Sequence, residues 1–160
     1  MNNLTADACR STSAFASVDT NGARNKRHYD RHLRSVQAHV IVAKVRSVEA
    51  FLDDATRTDT TWAAMYRGNF RAQLKGARVL EVGAGDGLNA LVMAALGAEV
   101  TCVDISEETP QLVRFAAAQL GLQSRVQAMS GDFAEMSFQG KRSMKTVLRS
   151  SRPCVTLGVA

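Results

Sequence analysis

Residues 77–96 read ARVLEVGAGDGLNALVMAAL, and the order of side-chain types in this stretch decides the fold. ARVLEVG (77–83) is a short apolar run that suits a strand buried on both faces. LNALVMAAL (88–96) is apolar nearly all round, as a helix packed on a sheet must be. Between them lies Glu81-Val82-Gly83-Ala84-Gly85-Asp86-Gly87. Glycines at such a junction let the backbone turn sharply and let a ligand approach main-chain N–H groups at the helix N-terminus.

The alternation continues downstream. EVTCVDI (99–105) is a second β-rich run, and Thr109-Pro110 opens a helix that places Leu112, Phe115, Ala116 and Leu120 on one face before Gly121 ends it. RVQAMSG (125–131) alternates like a third strand. The order β-α-β-α-β predicts a parallel sheet with right-handed crossovers. Upstream the pattern is helical. From His28 to Leu52, Leu33, Val36, Val40, Ile41, Val45, Val48 and Phe51 make one stripe, and Asp53-Asp54 closes it. Asp59, Thr60 or Thr61 then caps a second helix, in which Trp62, Tyr66, Phe70 and Leu74 recur every four residues up to Gly76. Core packing is the plain reading of that aromatic stripe. Residues 1–25, rich in Ser, Thr, Ala and Asn without a period, read as a disordered leader, and Asp7 and Asp19 argue against a transit peptide.

Composition sets the outer bounds. The chain has 160 residues, 46% hydrophobic and 22% charged, with 2 Pro, the make-up of one globular domain. No apolar run approaches the roughly 20 residues of a membrane helix. Cys9, Cys102 and Cys154 are odd in number and far apart, so neither a disulfide framework nor a zinc knuckle is indicated, and the cytoplasm is the expected compartment. The net charge of +5 is unevenly spread. Residues 1–76 carry 12 Lys and Arg against 7 acids, residues 77–135 carry 3 against 8, and residues 136–160 carry 5 against none. The basic residues are scattered without interleaved aromatics, which argues against nucleic acid as a partner.

Acids punctuate the strand ends. Glu81 lies two residues before the first glycine of the turn, Asp104 ends the second run, and Asp132 follows the third within Ser130-Gly131-Asp132-Phe133. An acid at the end of the second strand suits hydrogen bonds from a ribose diol. Together VLEVGAGDG, VDIS and SGDF resemble the class I S-adenosylmethionine-dependent methyltransferases, over about residues 77–135. The resemblance implies an α/β fold, a Rossmann-like parallel sheet of three or more strands with N-terminal helices. It implies S-adenosylmethionine as cofactor and a small molecule as methyl acceptor. Gly83, Ala84, Gly85 and Gly87 would form the turn around the cofactor's amino-acid end, with Glu81 ordering it. Asp104 would bind the ribose hydroxyls and Ile105 would lie against the adenine. Asp132 would accept from the adenine amino group, and Phe133 would donate its backbone N–H to the ring. Residues 26–76 resemble the helical lid of such enzymes, with His28, Tyr29 and Asp30 as its leading edge. An acidic middle suits a cofactor that carries sulfonium and ammonium charges.

Other readings rank lower. His28, His32 and His39 share a helix face, but no Glu follows His28 as in a metalloprotease helix, so no metal is expected. Cys102, inside the second strand, is expected to be buried and inert. Pro153-Cys154 lacks the surroundings of a methyltransferase nucleophile. A nicotinamide-dependent oxidoreductase is disfavoured by Leu88, which stands where a dinucleotide fingerprint has its third glycine. A non-catalytic cofactor-binding module working with a partner chain is the other alternative.

The family fold has seven strands, and four more with their helices would need roughly 90 residues beyond Asp132. The sequence has 28, and residues 136–160 are basic, acid-free and poorly periodic. The expectation is a premature end or shifted reading frame, with the first strand left as an exposed apolar edge inviting self-association. TVL (146–148) and CVTLGV (154–159) can each still form one short strand.

Overall fold

The computed structural model describes residues 21–57, 60–136 and 146–149. Five helices lead: α1 (Asn21–Leu33), α2 (Ala38–Arg46), α3 (Val48–Ala55), α4 (Thr61–Tyr66) and α5 (Phe70–Gln73). Then come β1 (Arg78–Val82), α6 (Leu88–Ala95), β2 (Glu99–Asp104), α7 (Glu108–Leu120), β3 (Val126–Ser130) and β4 (Thr146–Arg149). The sheet order is β3-β2-β1-β4 and every pairing is parallel. The α/β, Rossmann-like reading therefore holds, with the three expected strands each within a residue or two of its predicted bounds.

β4 is the first difference. Val79–Val82 of β1 pair with Thr146–Arg149, so β1 is an interior strand flanked by β2 and β4. The expectation of β1 as an exposed edge is overturned, and the ground for self-association through it goes with it. Of the two candidate segments, TVL forms the strand, and CVTLGV lies outside the described residues.

The core lies between the sheet and α6, α7 and α2. In α6 Ala90, Leu91, Val92 and Met93 are fully buried, which is why that run is apolar on all sides. From α7 the buried residues are Thr109 and Pro110 in its first turn and then Val113, Ala116 and Ala117, whereas Phe115 is 54% exposed. The expected face is rotated by one position, because the small Ala116 and Ala117 let α7 pack closely while Phe115 points outward. Cys102 is buried, as expected, and burial pushes its thiol up to about 12.

The long helix expected over residues 28–52 is three helices. α1 starts at Asn21, so residues 21–25 are helical rather than part of an irregular leader, and residues 1–20 lie outside the described set. It stops at Leu33, where the Ser35 hydroxyl donates to the His32 carbonyl at 2.6 Å and the Ser35 and Val36 amides take three-residue bonds. A second break falls at Ser47. Breaking the helix turns Ile41, Val42, Val45 and Leu52 to the core and leaves Val40 42% exposed. The next helix also divides, into α4 and α5 on either side of Gly68. Of its three candidate caps Thr60 is the one used, its hydroxyl accepting from the Ala63 amide at 3.2 Å. Phe51, Trp62, Tyr66 and Phe70 form a continuous ladder of ring contacts with centroids 5.0, 5.5 and 5.7 Å apart.

Candidate functional site

The carboxyl ends of β1, β2 and β3 converge at one end of the sheet. A parallel α/β sheet opens its ligand crevice there, at the strand where the order reverses, which here is β1. The turn after β1 is fastened on all sides. The Gly83 and Ala84 amides donate to the Val103 carbonyl at 2.8 and 3.2 Å, and the Gly85 amide donates to Asp104 Oδ2 at 2.8 Å. Thr109, fully buried at the start of α7, donates its hydroxyl to the Gly85 carbonyl at 2.6 Å. The Leu88 amide at the head of α6 is taken by Asp86 Oδ1 at 3.0 Å. These four N–H groups serve the turn itself.

Two glycines of the turn have different reasons to be glycine. Gly85 has φ +57, and a side chain there would project into open space. Gly87 has φ +76, and a Cβ there would overlap Val113 Cγ2. Gly87 thus lets α7 close on the turn, whereas Gly85 keeps a space clear.

Asp104 is buried, and each of its oxygens holds a backbone amide, Oδ2 that of Gly85 and Oδ1 that of Ser106 at 2.9 Å. A carboxylate has about four lone-pair sites, so both oxygens can take a further donor. Ile105 beside it is half-buried. The Gly131 amide donates to the Asp104 carbonyl at 2.8 Å, which brings the segment after β3 alongside. There Asp132 is exposed and its Oδ1 accepts from the Ala134 amide at 2.9 Å, closing a turn, and Phe133 is half-buried.

Glu81 is the most unusual residue of the site. It is wholly buried one residue before the end of β1, with Asn89 Nδ2 donating to its Oε1 at 2.8 Å. Its Oε2 is buried with no partner among the described residues. Burial pushes its carboxyl up to about 7, the Asn89 hydrogen bond opposes that, and the charges of Asp86 and Asp104 add to it. A buried carboxylate oxygen with nothing to accept from is costly unless a ligand or water supplies a donor.

α1 docks on the neighbouring turn. Asp30 accepts from the Ser106 hydroxyl and, at 3.2 Å, from the Glu107 amide at the head of α7. Those hydrogen bonds, the Ser106 hydroxyl foremost, hold its carboxyl below the usual range despite partial burial. Lys26 bridges Asp30 and Glu107 at 3.0 and 3.1 Å, and Arg34 reaches Glu108 at 2.8 Å. Lys26 and Asp30 are four residues apart on one face of α1, and Arg34 continues that line just past the helix's last residue. Of the trio named from sequence, Asp30 is thus the docking residue. His28 and Tyr29 are exposed and pack on each other, ring centroids 5.4 Å apart. Among the described residues no group of three His, Cys, Asp or Glu stands ready to hold a metal, and no helix is long and apolar enough to cross a membrane.

Sequence reasoning missed Asn89, Ser106 and the second role of Thr109. Asn89 had left a sign, as a lone amide in an otherwise apolar helix.

A parallel sheet of this order, with a glycine turn after β1 and acids at successive strand ends, is a Rossmann-like α/β fold. Residues 79–154 match a family model described as a methyltransferase domain. The chain is similar to the ubiquinone biosynthesis O-methyltransferase of Xanthomonas euvesicatoria, 43% identical over 67 residues, which are 41% of this chain and 28% of that relative. To the enzyme of the same name from Xanthomonas oryzae it is 51% identical over 57 residues, 36% of this chain and 22% of the relative. The matched stretch is therefore about a quarter of each relative. Among solved structures, magnesium protoporphyrin IX methyltransferase from Synechocystis, with bound S-adenosylmethionine, superposes with a TM-score of 0.51 at 19% identity. That superposition covers 81% of this chain and 61% of the other, and shows the shared fold.

Proposed function

We propose that this chain binds S-adenosylmethionine and serves the transfer of its methyl group to a small-molecule acceptor. The observation that carries the reading is the buried Oε2 of Glu81, without a partner among the described residues, beside a turn whose Gly85 keeps a space clear. That pair fits the ammonium end of the cofactor, which brings the donor that the carboxylate lacks. When bound, S-adenosylmethionine supplies a methyl group already activated on a sulfonium. Asp104 uses its remaining lone pairs for the ribose diol while its first pairs keep the turn closed. Ile105 lies against the adenine, Asp132 accepts from the adenine amino group, and Phe133 offers its backbone N–H. The acids of the middle segment, Glu81, Asp86 and Asp104, attract the cationic cofactor into the crevice. The work left to the protein is alignment and exclusion of water, with a base needed only for an acceptor that must lose a proton. Because the Xanthomonas relatives are named O-methyltransferases, oxygen is the acceptor atom to test first.

A thermal melt with and without S-adenosylhomocysteine tests the binding. At a hundredfold excess over the dissociation constant, a ligand of the native state adds about 2.7 kcal/mol, a rise of roughly 5–10 °C in midpoint. An unmoved midpoint overturns the reading, and a rise with NAD instead assigns the site to a nicotinamide cofactor. Binding without methyl transfer to any phenolic or catecholic acceptor makes the chain a cofactor-binding module.

A further inference from the structure

Asn89 is the second residue of α6 and the only amide in a helix whose other side chains are apolar. The hydroxyl of Tyr66, on α4, donates to Asn89 Oδ1 at 2.6 Å, and Asn89 Nδ2 donates to Glu81 Oε1 at 2.8 Å. With its oxygen committed to the phenol, the amide presents its N–H edge to the carboxylate. The reverse orientation would set two acceptors face to face. The phenol therefore fixes the amide, the amide fixes one side of Glu81, and Oε2 is the atom left for a ligand.

We propose that Tyr66 and Asn89 are positioning residues for the cofactor site: the phenol locks the amide, and the amide keeps Glu81 ionised with Oε2 presented to the incoming cation. This rests on the cofactor reading and extends it from the sheet to α4, a helix that holds none of the motif residues. Among the described residues, the titratable groups acting on or facing Glu81 are Asp86 on the turn, Asp104 and Cys102 on β2, and Tyr66 on α4. Both aspartates disfavour a second negative charge, and the Asn89 N–H is what opposes them. A cation binds the ionised form of Glu81. Affinity is therefore complete above the carboxyl's titration and falls about tenfold per pH unit below it. Tyr66 also stacks on Trp62, the only tryptophan of the chain, with centroids 5.5 Å apart, so ligand binding at Glu81 can be read from its fluorescence.

Tyr66→Phe keeps the ring and removes the hydroxyl, and Asn89→Ala removes the amide. Carboxyl-carbon NMR of the unliganded chain follows the Glu81 midpoint in each, and Trp62 fluorescence follows S-adenosylhomocysteine affinity from pH 6 to 9. The expected result is a midpoint about one unit higher in both variants, affinity about fivefold weaker at pH 7 and about tenfold weaker at pH 6, and convergence with the parent chain at pH 9. A lost packing contact would weaken binding equally at every pH. An unmoved midpoint in both folded variants overturns the proposal, as does a raised midpoint with unchanged affinity throughout. A parent chain that binds no S-adenosylhomocysteine at any pH, while the midpoint still moves, overturns the cofactor reading and upholds the Tyr66–Asn89–Glu81 link.

Discussion

α6 and α1 both pack against the rest of the fold, and they do so by opposite means. Along α6, Leu88 and Ala90 through Ala94 are buried, and Ala90–Met93 are fully so. α1 buries one apolar side chain among its described residues, Leu33, and otherwise meets the head of α7 through Lys26 and Asp30, with Arg34 just past its end. Apolar burial is worth about 25 cal/mol per Å² and is not screened by salt, whereas exposed ion pairs are weak and screened. The same site is thus built from a part that defines the fold and a part that can let go of it.

Three changes test that contrast. The largest effect belongs to Leu91→Ala, which opens a cavity at a fully buried position of α6 and is expected to cost about 2–5 kcal/mol. Urea unfolding measures it, and a loss under 1 kcal/mol would mean that α6 is not the centre of the core. Gly87→Ala comes next. It forces a side chain both into φ +76 and onto Val113, for a loss of about 1–3 kcal/mol, and the displacement of α7 weakens ligand binding as well. Equal stability with intact binding would show that the turn has room to spare. Smallest is Asp30→Ala, expected to speed amide exchange across α1 by roughly two- to fivefold while exchange in α6 stays unchanged. Asp30's carboxyl is held below its unfolded value, so its contribution is present above the ordinary carboxylate range and is lost as the pH falls through the folded value. The parent chain's α1 should accordingly loosen below about pH 4, and with added salt at neutral pH. If α1 and α6 exchange together under all these conditions, the two helices form one cooperative unit and the contrast fails.

Much of this was legible in the linear chain because the physical signals are local. The parallel sheet followed from apolar runs separated by helix-length segments, and β1, β2 and β3 lie where those runs are. The acids at strand ends were visible because β-α-β order brings the carboxyl ends of parallel strands to one side. The helical layer was harder. A stripe from Leu33 to Phe51 is equally compatible with one helix or with three, and the breaks at Ser35 and Ser47 depend on which faces have a core to meet.

The sequence by itself determined that this chain carries a Rossmann-like parallel sheet with a glycine turn after its first strand, since periodicity and glycine placement are properties of the chain alone. Only the tertiary structure decided that β4 covers β1, that the turn's amides are spent on Val103 and Asp104, and that Gly87 answers to Val113. It alone joined Tyr66 to Glu81 through Asn89, and Asp30 to Ser106 across 76 residues. Such links have no local signature, because a hydrogen bond between distant segments exists only once burial of the core has fixed both ends in place.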